Sequence, residues 1–582
     1  MATIPSFNAF KNKPTISLLR TRKILGDNEN VVNLFERVVT ALVDIEEIFN
    51  TSESEKQSLK ADLLNACDQK IIAFGSPILL NAGLENRSLS SCTIIPINLR
   101  EDFESMKKSI FPYYEKGMGS GFNLNEVDDP IQTLKQLNQI LIEITPLIDR
   151  PACGMAMLDI DHPKIEEFIL LKKNEDFYKW RFNISIGITK NFLDSVKNNV
   201  LFTLKDGSQI SAEKLLLTIT DTAHFCGEPG MVFLDRIAQE NPVPSIECKT
   251  VVPCAEVALS EGEVCQFSYL NISKIVKITD EGKTFDFPSL ERHTKLLTRI
   301  LDNAIEISSE NAVSNHEVIK NKRRIAIGIC GAADLFLDLG LPYISKQAQE
   351  LLSNIMATIN ICSKEMSVEL AKKRTPFPLF NMSLYLKKGF ASRFKKTISI
   401  IPTSRWESLE QSILRSGIRN TGTTALPPTG LSAIIVDVSP SIEPRLSLND
   451  NQGKIIPLLF SHLQIHWDKI QLGEDERNSL LRRINLLGYI PNDMKKISQK
   501  IKQLFLVSKQ VHWMSQLKMT SAVQKFNDES ISKTVNCPKE TTPEEIHEIF
   551  LQSNYLELKG ITVFRDQCLE ERIIPSDTSY ES

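Results

Sequence analysis

Between about residues 76 and 535, short apolar runs of strand length alternate with longer stretches of helical period, and this alternation constrains the fold more than any other feature. The runs fall at 91–97, 155–160, 182–188, 324–329 and 430–438. Residues 289–309 and 345–371 read as long helices, and 402–419 carries Trp406, Leu409, Ile413 and Leu414 at helical spacing. Such a pattern predicts an α/β domain. Ahead of it, Val31, Leu34, Phe35, Val38, Leu42, Ile45, Ile48 and Phe49 form a helical stripe that Asn28 or Asn30 would cap. Residues 53–72 read as a second helix. The expected organisation is a helical N-terminal domain over 1–75, with 1–28 as a loose arm, then the α/β domain over 76–535. An extension over 536–582 adds a helix at 543–555, a strand at 560–564 and a disordered last dozen residues.

Charge narrows the partners. The 68 Lys and Arg stand against 72 Asp and Glu, for a net charge of −4. A nucleic-acid partner is not expected, because no basic excess is present to hold a phosphate backbone. No apolar run is long enough to span a bilayer, and Met1–Phe7 lacks the basic-then-apolar order of a signal peptide, so a cytoplasmic protein without a membrane partner is expected. The 11 cysteines form no CxxC and no zinc-like Cys/His spacing, so no metal site is expected. Scattered cysteines in a reducing compartment are mostly buried small hydrophobes, and a catalytic role must be argued one cysteine at a time.

Four segments stand out against that background. They are Ser76-Pro77-Ile78-Leu79-Leu80-Asn81-Ala82-Gly83 followed by Ser90-Ser91-Cys92; Pro253-Cys254-Ala255-Glu256; Glu263-Val264-Cys265-Gln266-Phe267-Ser268-Tyr269-Leu270-Asn271; and Pro427-Pro428-Thr429-Gly430-Leu431-Ser432-Ala433. Each alone is a weak signal, and a Cys-x-Glu in a loop is usually coincidence. Together and in this order they resemble the large, catalytic subunit of the ribonucleotide reductases. Gly117-Met118-Gly119-Ser120-Gly121-Phe122 is similar to the family's glycine-rich stretch. Leu158 to Ile165, Phe182-Asn183-Ile184-Ser185, Ile531 to Asn536 and Lys559 to Arg565 resemble the adenosylcobalamin-dependent class II enzymes.

The resemblance implies a ten-stranded α/β barrel with a central finger loop and Cys254 at its tip as the radical-bearing cysteine. It implies Glu256 as the base for the 3′-hydroxyl, which suits a residue two places along an extended loop. Cys92 and Cys265 are implied as the dithiol that supplies two reducing equivalents. The Pro428–Ser432 loop is the implied phosphate site, with Thr429 and Ser432 hydroxyls beside the backbone of Gly430 and Leu431. Ser76, Ser91, Gly119 and Val252 occupy family positions that line the substrate. The implied cofactor is adenosylcobalamin. The implied partners are a ribonucleotide, a thioredoxin- or glutaredoxin-like reductant, and a second copy or an auxiliary subunit.

The chain also departs from the family. Val252 replaces an Asn and has no group to orient substrate hydroxyls. Ala255 replaces a Gly. The Gly-rich effector loops are missing between Glu126 and Pro151, and Asp149-Arg150-Pro151-Ala152-Cys153 stands in place of the second. No regulatory cone precedes residue 30, and the end of the chain lacks paired cysteines, leaving Cys568 alone. These departures predict weak or altered turnover of ordinary ribonucleotides and no response to deoxynucleotide effectors. They leave open a diverged radical enzyme acting on a modified nucleotide or nucleoside, and a silent nucleotide-binding homologue.

Overall fold

The computed structural model describes residues 5–148, 150–174, 180–280, 282–313, 316–450 and 453–568. Asp149 and the tail from 569 onward, including the segment expected to be disordered, lie outside them.

The chain opens with three helices, α1 (Lys13–Thr21), α2 (Val31–Asp44) and α3 (Glu53–Asp68). Asn30 caps α2 by accepting from the Asn33 amide at 3.0 Å. Residues 5–28 are not a loose arm. Phe7 and Phe10 are buried, and Phe7 stacks on Phe35 with ring centroids 4.5 Å apart. Two aromatic side chains this early in the chain hold it down, and α1 follows from Asn12, whose side chain accepts from Thr15.

Among the described residues, sixteen strands follow in chain order. They are β1 (Ile72–Phe74), β2 (Cys92–Thr93), β3 (Gly119–Asn123), β4 (Gly154–Asp159), β5 (Phe182–Ile188), β6 (Leu201–Thr203), β7 (Gln209–Ser211), β8 (Gly230–Phe233), β9 (Thr250–Val251), β10 (Ala258–Leu259), β11 (Gln266–Asn271), β12 (Val276–Thr279), β13 (Gly282–Phe285), β14 (Ile325–Cys330), β15 (Thr534–Cys537) and β16 (Gly560–Arg565). Seven of them form one sheet in the order β15-β16-β8-β5-β4-β3-β2, and three form another, β1-β11-β14. Neighbours in the larger sheet are parallel except β16 with β8. In the smaller sheet β11 and β14 are parallel and β1 is antiparallel to β11. Single bridges lie between the sheets: Thr93 with Val264, Ile327 with Thr424, and Leu426 with Ile531.

The mixed α/β class is present, but the expected ten strands do not form one closed ladder among the described residues. Proline explains part of this. Pro96 follows β2 closely, and Pro427-Pro428 follows the bridged segment 424–426; neither can donate to a neighbouring strand. The run 430–438 is also not a strand. Gly430–Val436 is a short helix, a conformation that periodicity cannot separate from a strand in seven apolar residues.

Alternation along the large sheet sets its two faces. Phe182, Ile184, Ile186 and Ile188 of β5 pack outward, with Phe122, Ala156 and Phe233, against the helices Phe103–Glu115, Pro130–Ile144, Ile165–Asn174, Ala212–Cys226 and Pro543–Tyr555. The alternate residues, among them Met155, Met157 and Val232, face inward. The three-stranded sheet shares a core with α1–α3 and the long helices Phe287–Glu310 and Lys346–Arg374.

Candidate active site

A β-hairpin fills the space that the inner face leaves. β9 and β10 pair antiparallel, the Val252 amide extends the ladder to the Val257 carbonyl at 3.0 Å, and the Ala255 amide closes the turn on the Val252 carbonyl at 2.8 Å. Val251 and Ala258 face Met155, Met157 and Val232 of the large sheet. Val252, Val257 and Leu259 face Ile94, Cys265, Ala326 and Ala425 on the other side. The hairpin is therefore apolar on both faces and lies between two walls. Glycines in β3 make its approach possible. A Cβ at Gly121 would overlap the Val251 carbonyl, and one at Gly119 would stand 3.1 Å from Pro253 Cγ and 3.5 Å from Cys153 Sγ. Two carboxamides pin the hairpin to the sheet: Asn123 donates to the Lys249 carbonyl at 2.6 Å near its base, and Asn183 donates to the Pro253 carbonyl at 3.2 Å near its tip.

The tip carries Cys254, Ala255 and Glu256. Ala255 adopts φ +58°, the left-handed region in which a Cβ costs about 1 kcal/mol. The Cys254 side chain is exposed, yet burial raises its pKa well above that of a free thiol, and the Glu256 charge raises it further. An open-topped recess reconciles the two: solvent reaches the sulfur, while protein surrounds it on the other sides. Cys92, Cys153 and Glu256 all act on Cys254 electrostatically, and Arg150 opposes them. Glu256 is 2% exposed, and one carboxylate oxygen, Oε2, is buried without a hydrogen-bond partner. Burial lifts its pKa to about 7, only partly offset by a backbone hydrogen bond. A carboxyl with an open lone pair and a pKa near neutrality is suited to general-base work.

Cys92 and Cys265 come together through strand register. The antiparallel bridge between Thr93 and Val264 places Cys92 directly opposite Cys265 one step along. Thr93 Oγ1 donates to the Glu263 carbonyl at 2.9 Å and holds this register. Directly opposed residues have Cβ atoms about 4.5–5.5 Å apart, and a disulfide needs about 3.5–4.5 Å, so the pair is a small shift from bonding distance. Both side chains pack in the cluster that holds Val252 and Ala326. Burial raises both thiols well above their free value, so both are protonated at neutral pH.

The Pro428–Ser432 loop lies behind the same strands. The Tyr269 hydroxyl, on β11, donates to the Pro428 carbonyl at 2.9 Å and also feels the charges of Glu256, Cys254 and Cys92. Pro428 and Gly430 are exposed, Leu431 is half-buried, and Thr429 and Ser432 are buried. Thr429 Oγ1 accepts from the Ser441 amide at 2.9 Å, and Ser432 Oγ donates to the Phe74 carbonyl at 2.7 Å. The Ser432 hydroxyl is thus directed inward, which leaves the amides heading the Gly430–Val436 helix as donors.

Of the remaining expected residues, Ser91 is buried and its carbonyl accepts from the Gly119 amide at 2.7 Å, so both adjoin the fingertip. Ser76 is half-buried at the start of the helix Ser76–Asn81. Val252 is fully buried in the apolar cluster that also holds Cys92 and Cys265. A cleft of about 250 Å³ opens at the base of the hairpin, lined by Asn98, Arg100, Asn123, Lys249 and Glu261 among others, and holds none of these groups.

Two residues that lie in the quoted segments but were assigned no role border the recess. Cys153 is exposed just ahead of β4, its carbonyl accepting from the Tyr114 hydroxyl at 3.0 Å. Asn183 is exposed on β5, on the face opposite Phe182 and Ile184. The inward phase of β4 and β5 was the signal that marked both.

Residues 90–564 match the family model described as ribonucleotide reductase, barrel domain. The chain is 28% identical over 534 residues to a vitamin B12-dependent ribonucleoside-diphosphate reductase of Thermoplasma acidophilum, covering 87% of this chain and 65% of that protein. It is 26% identical over 594 residues to a protein of the same description from Mycobacterium tuberculosis, covering 96% and 80%. Its fold is similar to a solved Actinobacillus ureae class Id ribonucleotide reductase alpha subunit, with a TM-score of 0.75 and 18% identity over 97% of this chain and 99% of that one.

Proposed function

The chain belongs to the ribonucleotide reductase family, and on that premise we propose that it reduces ribonucleotides to 2′-deoxyribonucleotides by thiyl-radical chemistry at Cys254. The observation that carries this reading is the convergence at one hairpin tip. An exposed thiol stands beside a buried carboxyl with an unpartnered oxygen, and a cross-strand cysteine pair lies behind them.

The roles follow from the chemistry. The Cys254 radical takes the hydrogen from C3′, and Glu256 accepts the 3′-hydroxyl proton through Oε2. The 2′-hydroxyl leaves as water. Cys92 and Cys265 give up two protons and two electrons and become a disulfide, and Cys254 returns its hydrogen to C3′. The net change is ribonucleotide plus dithiol to 2′-deoxyribonucleotide, water and disulfide. An external dithiol protein of the thioredoxin or glutaredoxin kind then restores the pair. Backbone amides of Gly430 and Leu431 hold the phosphate.

Adenosylcobalamin is the proposed radical source, on the strength of the names of the two relatives above. The site fits such a group, since Cys254 is open to solvent while Glu256 beside it is buried, so a group bound outside the hairpin reaches the thiol and not the base. When bound, it supplies the one-electron oxidation of the Cys254 thiol.

The proposal extends to architecture. The proposed ten-stranded ring takes the five parallel strands β2, β3, β4, β5 and β8 with a second set made of β11, β14, 424–426, β15 and β16, and the single bridges between the sheets support it. The divisions 1–75, 76–535 and 536–582 are kept as the domain proposal, with β16 of the last contributing to the large sheet. No helix among the described residues is long and apolar enough to cross a membrane, and a cytoplasmic enzyme is proposed.

The test separates the two thiol roles. Cys254→Ser is expected to abolish turnover and 3′-hydrogen exchange alike, because a serine O–H bond is too strong for the radical step. Cys92→Ser and Cys265→Ser are expected to block reduction and retain exchange of the 3′-hydrogen with solvent. Full turnover by Cys254→Ser refutes the reading.

A further inference from the structure

A ribose held over Cys254 presents hydroxyl groups that need partners, and few side chains at the fingertip can serve. Val252 is fully buried among apolar side chains and has no hydrogen-bonding group. Glu256 is committed to the proton it must accept. The thiols of Cys92 and Cys153 are weak hydrogen-bonding groups. Ser91 beside the tip is only 6% exposed, whereas Asn183, among the described residues, is an exposed polar side chain bonded to the tip. It lies on the inward face of β5, is exposed, and its Nδ2 donates to the carbonyl of Pro253, the residue before Cys254, at 3.2 Å.

That hydrogen bond fixes the side chain's orientation. With Nδ2 directed at the fingertip backbone, the other carboxamide atom, Oδ1, is left as an acceptor at an exposed position. Ordering by a backbone partner is what a positioning group requires, because less rotamer freedom is lost when a ligand binds. Packing neighbours do not demand an amide here. The outward residues of β5, Phe182 and Ile184, are core hydrophobes, whereas Asn183 is exposed on the other face of the strand.

The geometry points to Asn183 as the residue that holds the ribose hydroxyls of the substrate over Cys254, with Oδ1 accepting from a hydroxyl while Nδ2 keeps the fingertip in place. This deepens the reading under Proposed function and rests on it. Asn183 is a positioning residue: it neither takes the hydrogen atom nor the proton. The inference also relocates specificity for the sugar from the hairpin to the sheet opposite it.

The experiment compares ligands that differ only in the hydroxyls. Binding of ribonucleoside di- and triphosphates and of their 2′,3′-dideoxy forms to the reduced full-length protein is measured by titration calorimetry, for wild type, Asn183→Ala and Asn183→Ser. The wild type is expected to prefer the ribo form by about tenfold, the ratio that one well-made hydrogen bond supplies. Both variants are expected to lose most of that preference by weakening the ribo form alone, with dideoxy binding unchanged. The unchanged dideoxy affinity is the internal control that the site is still folded. Variants that keep the full preference, or that lose both ligands equally, overturn the inference and leave the reductase reading standing. A wild type that binds neither form overturns that reading and this inference together.

Discussion

Glu256 carries its function in its environment more than in its identity. Burial alone lifts its pKa from 4.5 to about 7, so near neutrality the carboxyl is poised between holding and accepting a proton. The consequence for stability has a definite sign. The folded state binds the proton more tightly than the unfolded one, so this contribution is fully present below pH 4.5 and is lost as pH rises toward 7. Glu256→Gln is expected to flatten the stability curve in that window, by on the order of 3 kcal/mol across it. Turnover by the native protein is expected to rise as pH passes through about 7, since the base must be ionised to work. A denaturation series at several pH values in which the native protein and Glu256→Gln run parallel would show that the carboxyl is not held as described.

At the scale of elements, the hairpin is positioned by what β3 lacks. Gly121 has no room for a methyl group, because a Cβ there would run into the Val251 carbonyl, and backbone cannot swing aside as a side-chain end can. Gly121→Ala is expected to displace the hairpin, lower stability by roughly 2 kcal/mol, and cut turnover far more than it weakens phosphate-loop binding. A variant with native stability and turnover would mean the hairpin is loosely seated. The same elements show what was legible in the sequence. β5 and the helix Pro543–Tyr555 fall at their expected limits, because period-2 and period-3.6 patterns are unambiguous over seven and thirteen residues. The helix Gly430–Val436 read as a strand because seven apolar residues fit either period. The motif cysteines could be named from their neighbours in the chain. The facing of Cys92 and Cys265 could not, because register across 172 intervening positions depends on the fold and not on local pattern. The burial of Val252 was likewise not legible in the motif: its phase along the hairpin packs it with Cys92 and Cys265.

At the scale of the molecule, a buried ionic network ties the N-terminal helices to the body. Glu46 is fully buried and bonds Arg299 at 2.7 Å and Arg374 at 2.6 Å, from the helices Phe287–Glu310 and Lys346–Arg374. Burial opposes its charge, but Arg299 and Arg374 outweigh burial and hold its pKa down at about 2. With a depressed pKa, the stabilisation is present above pH 4.5 and fades as pH falls toward 2. Glu46→Gln leaves two guanidinium groups short of a counter-charge and is expected to cost roughly 3 kcal/mol at neutral pH, read by chemical denaturation. No loss of stability would mean the N-terminal helices are held by apolar packing alone.

Under the proposed function the two sheets and the hairpin between them serve one purpose, which is to hold the Cys254 radical against a ribose. Anaerobic incubation of the reduced protein with adenosylcobalamin and each ribonucleotide, followed by electron paramagnetic resonance and product analysis, tests that directly. The expected result is a radical signal that depends on Cys254 and a 2′-deoxyribonucleotide formed in step with oxidation of Cys92 and Cys265. A protein that binds the nucleotide but gives neither the signal nor the product would contradict it.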